Sequence, residues 1–130
     1  MKHFNILVAD DEKPVTTSVS FVLKRVGHTV DVVFDGVDAL ARIGENPAHY
    51  HILITDHLML KMSGLELLVK LRKTPFKGKV IVLSGNLTAQ LEEEYAKLGA
   101  NKFIHKPFEI AELREAVEEL GLSIEPLVAG

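Results

Sequence analysis

Residues 5–12 read Asn-Ile-Leu-Val-Ala-Asp-Asp-Glu, a short apolar run that ends abruptly in three acids. The four apolar residues from Ile6 to Ala9 are typical of a strand that is buried on both faces. Such strands occur in parallel sheets, where ligands bind beyond the carboxyl ends of the strands. The stretch therefore predicts an α/β fold with acidic side chains at the edge of the sheet where binding takes place.

The rest of the chain alternates similar strand-like runs with segments of helical period. The predicted strands are Asn5–Ala9, Thr29–Phe34, Ile52–Thr55, Lys79–Leu83 and Lys102–Ile104. The three central helices are predicted at Val37–Glu45, Gly64–Thr74 and Thr88–Leu98. Five strands alternating with five helices predict a three-layer α/β domain with right-handed crossovers.

The first and last helices are predicted from apolar stripes at helical spacing. The stripes are Val15, Val19, Val22 and Val26 in the first helix, and Ile110, Leu113, Val117 and Leu120 in the last. Glycines are interpreted as marking the helix ends; they are Gly27, Gly44, Gly78, Gly99 and Gly121. This predicts one domain over residues 1–121, with residues 122–130 as a C-terminal tail or a truncated linker.

Composition excludes several classes of protein. The 130 residues are 47% hydrophobic and 25% charged, enough for one domain with a real core. The net charge of −3 argues against direct binding of nucleic acid. Cysteine is absent, which excludes disulfide scaffolds, thiolate metal sites and cysteine nucleophiles. Because no apolar run approaches the ~20 residues of a membrane span and no signal peptide is recognisable, we expect a cytoplasmic domain without membrane contact.

Chemically active side chains follow four of the five predicted strands. They are Asp10, Asp11 and Glu12 after the first, Asp56 after the third, Ser84 after the fourth and Lys106 after the fifth. Crowded carboxylates repel, and an oxygen-only set without cysteine suits a hard cation such as Mg²⁺ (or Mn²⁺). Such an ion, together with a lysine, can neutralise a phosphoryl group. Asp56 is the natural nucleophile or phosphoacceptor.

Each of these pieces has a plainer interpretation when it is taken alone. An acidic run after a strand often caps a helix, and Asp56 or Ser84 could be ordinary loop residues. The joint placement at the ends of the correct strands is what favours a site. Elsewhere, His49 and His51 could form a metal pair but lack a third ligand, and Glu92–Glu94 is interpreted as a solvated helix face. Phe76 and Tyr95 are predicted to be packing residues.

The chain resembles the receiver domains of two-component response regulators over about residues 4–120. The resemblance rests on residues 6–12, 56–64, 82–85, 99–100 and 106–108. It implies the flavodoxin-like fold, with strand order 2-1-3-4-5. It also implies a cis peptide bond between Lys106 and Pro107.

The resemblance further implies a role for each matching residue. Asp56 would be the phosphoacceptor, Lys106 the phosphate-contacting lysine, Ser84 the switch hydroxyl and Phe103 the switch aromatic residue. The metal would be held by Asp10, Asp11, Asp56 and the backbone carbonyl of Leu58. A histidine kinase or histidine phosphotransfer protein would supply the phosphoryl group. A downstream protein would read the result on the face formed by the fourth helix, fifth strand and fifth helix.

Four positions depart from the usual family pattern. Leu60 replaces a common proline, so the loop after Asp56 could be less rigid, and Phe103 replaces a frequent tyrosine. His57 and His105 are not signature residues. None of these changes removes a group that the phosphorylation chemistry needs.

Three other functions share part of this pattern. A dehalogenase-like phosphatase would place its nucleophile after the first strand in an Asp-x-Asp pattern, but this chain has Asp10-Asp11 and no cap insertion. A flavin carrier would need a phosphate loop after the first strand, where the acids would repel the phosphate. A receiver-like binding module that is never phosphorylated stays open as an alternative.

Overall fold

The computed structural model describes residues 2–124. Its strands are β1 (Asn5–Ala9), β2 (Thr29–Val33), β3 (Ile52–Thr55), β4 (Lys79–Ser84) and β5 (Lys102–His105). Its helices are α1 (Lys13–Arg25), α2 (Gly36–Glu45), α3 (Gly64–Leu71), α4 (Ala89–Lys97) and α5 (Ile110–Ser123). Strands and helices alternate strictly along the chain, as predicted.

The five strands form one parallel sheet in the order β2-β1-β3-β4-β5. The predicted flavodoxin-like α/β fold is therefore confirmed. The chain moves from β1 to β2 on one side and then to β3 on the other. Strand order reverses between β1 and β3, which is where a sheet of this kind binds ligands.

Alternate residues of β1 pack into separate cores on the two faces of the sheet. Ile6 and Val8 lie in one core with α1 and α5, whereas Leu7 and Ala9 lie in the other with α2, α3 and α4. All four side chains are buried. Burial on both faces of the sheet therefore explains the apolar run from Ile6 to Ala9, as predicted.

Two glycines that were interpreted as helix ends lie inside helices. Gly44 belongs to α2 and Gly121 to α5. A Cβ at Gly121 would lie 2.7 Å from the Phe4 ring, so close packing against β1 explains the glycine. The helix continues to Ser123, and residues 125–130 of the predicted tail lie outside the described residues.

The other differences are small and have local causes. The predicted end of the third helix at Thr74 is wrong: the helix ends at Leu71, and a turn follows in which the Thr74 hydroxyl donates to the Leu71 carbonyl at 2.6 Å. Pro75 disfavours helical geometry at the residue before it. The prediction that Ile110 faces the core is also wrong, because 57% of it is exposed.

Side chains tie the amino end of the sheet together. The Phe4 amide donates to Nδ1 of His28 at 3.0 Å, and the Asn5 amide donates to Nδ1 of His51 at 2.9 Å. The Lys2 ammonium donates to the carbonyls of Gly121 and Ile124 at 3.2 and 3.1 Å. His51 is therefore engaged by the main chain of β1. In the described part of the chain, no helix is long and apolar enough to cross a membrane.

Candidate functional site

Two buried aspartates follow β1 and β3 at the point where the strand order reverses. The Asp10 amide donates to the Val33 carbonyl at 3.2 Å, and the Asp56 amide donates to the Ala9 carbonyl at 2.9 Å. These bonds continue the sheet pattern and fix both backbones. Only 1% of Asp10 and 5% of Asp56 is exposed.

The acids predicted to form a metal site lie together. One carboxylate oxygen from each of Asp10, Asp11, Glu12 and Asp56 falls within 4.8 Å of the others. Asp11 and Glu12 are exposed, so the cluster has a buried side and a side open to solvent. Glu12 was not among the predicted ligands, although its place in the acidic run was the available signal.

The ammonium of Lys106 lies among these carboxylates. Nζ donates to Asp10 Oδ2 at 2.7 Å, to Asp56 Oδ2 at 3.1 Å and to Glu12 Oε1 at 3.3 Å. The Lys106 amide donates to the Ser84 carbonyl at 3.0 Å, which fixes the start of this side chain. Lys106 is the one cation paired with this cluster among the described residues, and it contacts three of the four carboxyl groups, so negative charge remains in excess.

The pKa directions at the site reflect this crowding. Burial raises the pKa of Asp10 above its ordinary value, although hydrogen bonds from Lys106 and the Glu12 amide act in the opposite direction. Burial lowers the pKa of Lys106, but its bonds to Asp10 and Asp56 outweigh burial and leave that pKa raised. Carboxylate charge at Asp10 is therefore costly in the free protein.

The donor set fits a hard divalent cation. It consists only of carboxylate oxygens, the ligand type that Mg²⁺ and Mn²⁺ prefer, and burial makes their charge costly without a cation. The Lys106 ammonium shows that the same oxygens already converge on positive charge. The role of the Leu58 carbonyl stays a prediction; the Leu58 side chain is 54% exposed.

The two oxygens of Asp56 have different partners. Oδ1 accepts a hydrogen bond from the His57 amide at 2.7 Å, whereas Oδ2 accepts one from Lys106. The hydroxyl of Thr55 donates to the Asp56 carbonyl at 2.9 Å. The carboxylate is therefore held in one orientation by the chain on one side and by an ammonium on the other.

The two residues predicted to act as switches lie on the neighbouring strands. Ser84 ends β4 fully buried, and its hydroxyl accepts a hydrogen bond from the Asn86 amide at 3.3 Å. Phe103 in β5 is half-buried, and its ring meets Tyr95 edge-on with the centroids 6.4 Å apart. The predicted cis peptide bond between Lys106 and Pro107 is present.

The loop from β3 to α3 is attached to the start of α2. Leu60 forms an isolated β-bridge with Asp35, and the Lys61 ammonium lies 3.5 Å from the Asp35 carboxylate. Lys61 itself has a left-handed backbone with φ of 70°. Asp35 also caps α2 by accepting from the Asp38 amide. Leu60 thus has a defined partner, while the lower rigidity expected from the missing proline stays a prediction.

An open groove leads from the site across the surface. Its lining includes Asp56, Asn86 and Lys106 at one end, and Phe21 of α1 and Ile110 of α5 further along. Phe21 and Ile110 are both mostly exposed. Asp56 is therefore buried among its neighbours but lines a groove that is open to solvent.

The remaining sequence interpretations have mixed outcomes. Phe76 and Tyr95 are buried packing residues, as predicted, but the hydrogen bond between Tyr95 and His57 was missed. Glu93 and Glu94 are exposed, whereas Glu92 is half-buried and lies 3.3 Å from Nε2 of His105. No pattern in the sequence indicated that His57 would reach α4.

Known proteins match both the sequence and the fold. The Francisella response regulator 1452 receiver domain is 32% identical, with a TM-score of 0.86, over 94% of this chain and 99% of that one. The transcriptional regulatory protein FixJ of Rhizobium meliloti is 33% identical over 91% of this chain and 57% of its own length. The sensor protein EvgS of Escherichia coli is 33% identical over 89% of this chain and 10% of its own length.

The chain spans about half the length of the first curated relatives that it matches, 57% of one and 47% of another. The activities of those longer proteins are therefore not carried over to it. The family model for the response regulator receiver domain matches residues 6–118, nearly the whole described chain. With its parallel sheet in the order 2-1-3-4-5 and its acidic cluster beside Lys106, this chain belongs to the response regulator receiver domains of two-component systems.

Proposed function

We propose that this receiver domain accepts a phosphoryl group on Asp56 from the phosphohistidine of a sensor histidine kinase or a histidine phosphotransfer protein. The observation that supports this most directly is the Lys106 ammonium, which contacts Oδ2 of Asp56 and of Asp10 at 3.1 and 2.7 Å. It places positive charge where the phosphoryl oxygens would arrive, beside a nucleophile that lines an open groove.

The chemical step is a displacement at phosphorus. An oxygen of the Asp56 carboxylate forms a bond to phosphorus as the bond between phosphorus and the donor imidazole breaks. The electron pair of that bond returns to the imidazole nitrogen, which takes up a proton. Lys106 contacts the transferred group, and the His57 amide keeps the carboxylate oriented through Oδ1.

The cation belongs to this proposal because the acids fit it. Asp10, Asp11 and Asp56, with the Leu58 carbonyl, would hold Mg²⁺ (or Mn²⁺), and Glu12 lies in the same cluster. When bound, the ion supplies charge neutralisation for the phosphoryl oxygens. Lys106 pairs with both buried acids but offsets only part of the negative charge of the cluster.

Phosphorylation would act as a switch between two packings of the same fold. The acyl phosphate would draw the buried Ser84 hydroxyl toward it, and Phe103 would turn further into the space beside it. The output face would be α4, β5 and α5. Side-chain contacts already join these elements: Nε2 of His105 lies 3.3 Å from a carboxylate oxygen of Glu92, which connects β5 to α4, and the ion pair of Lys102 with Glu119 connects β5 to α5.

The proposal makes the domain a signalling module that catalyses only its own phosphorylation and dephosphorylation. Its partners would be the phosphodonor protein and a downstream protein that binds the output face, with no direct contact to nucleic acid or membrane. The same proposal includes a cytoplasmic location and a domain that was predicted to end at residue 121, with residues 122–130 as a tail or linker; because α5 continues to Ser123, the end of the domain moves to that residue.

Incubation with acetyl phosphate and Mg²⁺ tests this directly, with intact mass as the readout. The wild-type chain should gain one phosphoryl group, and Asp56→Asn should gain none. Asp35→Asn is a matched control, because Asp35 is a buried aspartate that follows β2 but lies outside the acidic cluster. A mass gain that persists in Asp56→Asn would show that the acceptor is another residue.

If the wild-type chain gains no mass with acetyl phosphate or with a phosphorylated histidine donor, the proposed chemistry is wrong. The alternative of a binding module that is never phosphorylated would then apply.

A further inference from the structure

Tyr95 is a buried tyrosine whose hydroxyl bonds to the site. It lies on α4 with no exposed surface, and its hydroxyl is 2.6 Å from Nδ1 of His57. Burial raises the pKa of Tyr95 well above its ordinary value, so the hydroxyl keeps its proton. It can therefore donate to an unprotonated Nδ1, and His57 is the partner that satisfies this buried group.

His57 connects this hydroxyl to the phosphoacceptor. Its amide donates to Asp56 Oδ1 at 2.7 Å, and its carbonyl accepts from the Gly64 amide at 2.8 Å. The ring and the peptide of one residue thus bond to α4, to Asp56 and to the first residue of α3.

The close approach at Gly64 shows how tightly this junction is packed. A Cβ at Gly64 would lie 2.3 Å from the Asp56 carbonyl oxygen and 2.6 Å from the Tyr95 hydroxyl. Real Cβ atoms do not occur at such distances, so only glycine fits without moving one of the three segments. The hydroxyl of Tyr95 is therefore packed closely against the backbone at Gly64 and the segment that carries Asp56.

We propose that Tyr95 is a positioning residue for phosphoryl transfer at Asp56, acting through its hydrogen bond to His57. The bond fixes the His57 ring, and with it the peptide whose amide orients the Asp56 carboxylate. It also couples the position of α4 to the chemical state of that carboxylate. The inference rests on the proposed function and assigns roles to two residues outside the acidic cluster.

The coupling follows from the change in charge at Asp56. An ionised carboxylate accepts a strong, charge-assisted bond from the His57 amide. After phosphorylation the remaining acyl oxygen is neutral and accepts a weaker bond, so the His57 peptide is held less firmly. A shift of the His57 ring would leave the buried Tyr95 hydroxyl unsatisfied unless α4 moves with it. Because binding couplings are reciprocal, a partner that moves α4 would also change the orientation of Asp56.

The chain provides a matched pair of variants to test this. Tyr95→Phe removes only the hydroxyl. Tyr50→Phe removes the hydroxyl of the other tyrosine, which is also buried and donates to Asp31 at 2.6 Å in the same core, away from the site. We expect Tyr95→Phe to slow phosphorylation by acetyl phosphate in Mg²⁺ about threefold or more, since small losses of alignment slow transfer. Tyr50→Phe should keep the wild-type rate. Equal rates in the two variants would overturn the proposal.

Substitutions at His57 give a second test that does not depend on Tyr95→Phe folding. An asparagine amide can place an oxygen near the position of Nδ1, whereas a glutamine amide reaches the position of Nε2. His57→Asn should therefore retain most of the rate, and His57→Gln should be slowed like Tyr95→Phe. The double variant with Tyr95→Phe and His57→Gln should be no slower than either single variant, because both remove one interaction. Additive losses would show two unrelated effects and overturn the proposal.

The response of α4 separates a positioning role from a packing role. In wild type and Tyr50→Phe, phosphorylation should shift the backbone amide resonances of Leu91 and Leu98 at the two ends of α4. In Tyr95→Phe the same shifts should fall by at least about half at equal phosphoryl content. Undiminished shifts in Tyr95→Phe would overturn the coupling. If the wild-type chain gains no phosphoryl group, the proposed function fails; if it does and Tyr95→Phe matches Tyr50→Phe, only this inference fails.

Discussion

At the carboxyl end of the sheet, Asp10, Asp56 and Lys106 form a charged cluster. At the amino end, His28 and His51 accept hydrogen bonds from the backbone amides of Phe4 and Asn5, where β1 begins. Both ends place titratable side chains against the same central strand. At the carboxyl end the charge exceeds what the protein itself balances. At the amino end each imidazole uses an unprotonated nitrogen to satisfy a main-chain amide.

The titratable groups at the carboxyl end therefore serve binding, whereas those at the amino end serve the stability of the fold. Uncompensated carboxylate charge favours the binding of a cation at the carboxyl end, at a cost to the stability of the free protein. The amino end gains stability from neutral imidazoles and loses it when they are protonated. Added protons should therefore relieve repulsion at the carboxyl end but destabilise the amino end.

The largest expected effect is a loss of Mg²⁺ affinity when the Asp10 carboxylate is neutralised. Asp10→Asn removes a buried carboxylate from the proposed metal ligands, and we expect Mg²⁺ affinity to fall about tenfold or more, equal to roughly 1.4 kcal/mol. In metal-free buffer the same change removes a charge that burial disfavours, so the melting temperature should rise by about 3–6 °C. Titration calorimetry and thermal unfolding with and without Mg²⁺ measure the two effects.

Asp11→Ala provides a comparison within the cluster, because Asp11 is exposed. It should weaken Mg²⁺ binding with little change in the metal-free melting temperature. Unchanged Mg²⁺ affinity in both variants would rule out the acidic cluster as the metal site.

A smaller effect, a loss of stability caused by the amino end, should appear when the pH is lowered. Burial, with a contribution from His3, lowers the pKa of His28, and burial with His49 lowers the pKa of His51. The imidazoles of the unfolded chain take up protons near the ordinary histidine pKa of about 6.5, before those of the folded chain do, so stability is full above that pH and falls as the pH decreases through it. Unfolding in urea at pH 7.5 and 5.5 measures the loss. The contribution from His28 should be comparable to one hydrogen bond, about 0.5–1.5 kcal/mol.

His28→Asn tests the cause of that loss. An asparagine oxygen can accept from the Phe4 amide without titrating in this range, so the variant should lose less stability between pH 7.5 and 5.5 than wild type. His49→Asn, at an exposed position, is the comparison, because it leaves the bond between His28 and the Phe4 amide in place. His49 helps lower the pKa of His51, so the acid response of this variant should fall, but by less than that of His28→Asn. An identical acid response in His28→Asn would remove His28 from the explanation.

The smallest effect concerns the lifetime of the phosphorylated form. In receiver domains, the side chains two residues after the acceptor and two residues after the switch hydroxyl border the path of the hydrolytic water. The matching residues of this chain are Leu58 and Asn86. Leu58 cannot orient a water, so decay should be slow, and Leu58→Asn should speed it about twofold to fivefold. Decay of the phosphorylated chain in Mg²⁺ is the measurement. Leu60→Asn, a second exposed leucine in the same loop, should leave decay unchanged.

The acidic cluster was predictable because its members follow strands. A parallel sheet brings the carboxyl ends of its strands to one edge, so Asp10, Asp56 and Lys106 could be placed together from sequence position alone. The same reasoning located β1 and β3 to the residue. Strand ends are set by short, local apolar runs, which are visible in the sequence.

Helix faces were harder to predict because packing sets them. Ile110 fits the apolar stripe of α5 but is its first residue, and it lines an open groove between α1 and α5. Gly121 was predicted to end a helix, but it lies inside α5, where the Phe4 ring leaves no room for a Cβ atom. The bond between His57 and Tyr95 depends on how α4 is rotated above the sheet. No residue pattern along the chain reports such a rotation.

The contacts of Lys2 have a practical consequence for engineering. Its ammonium holds the carbonyls of Gly121 and Ile124, so the first and last described residues meet at the edge opposite Asp56. A short linker could join these ends with little loss of chain entropy, and new ends could be opened in the turn between α3 and β4. In such a circular permutant, a fused reporter would be attached beside Phe76, which packs in the same core as Tyr95, while the groove that leads to Asp56 remains clear.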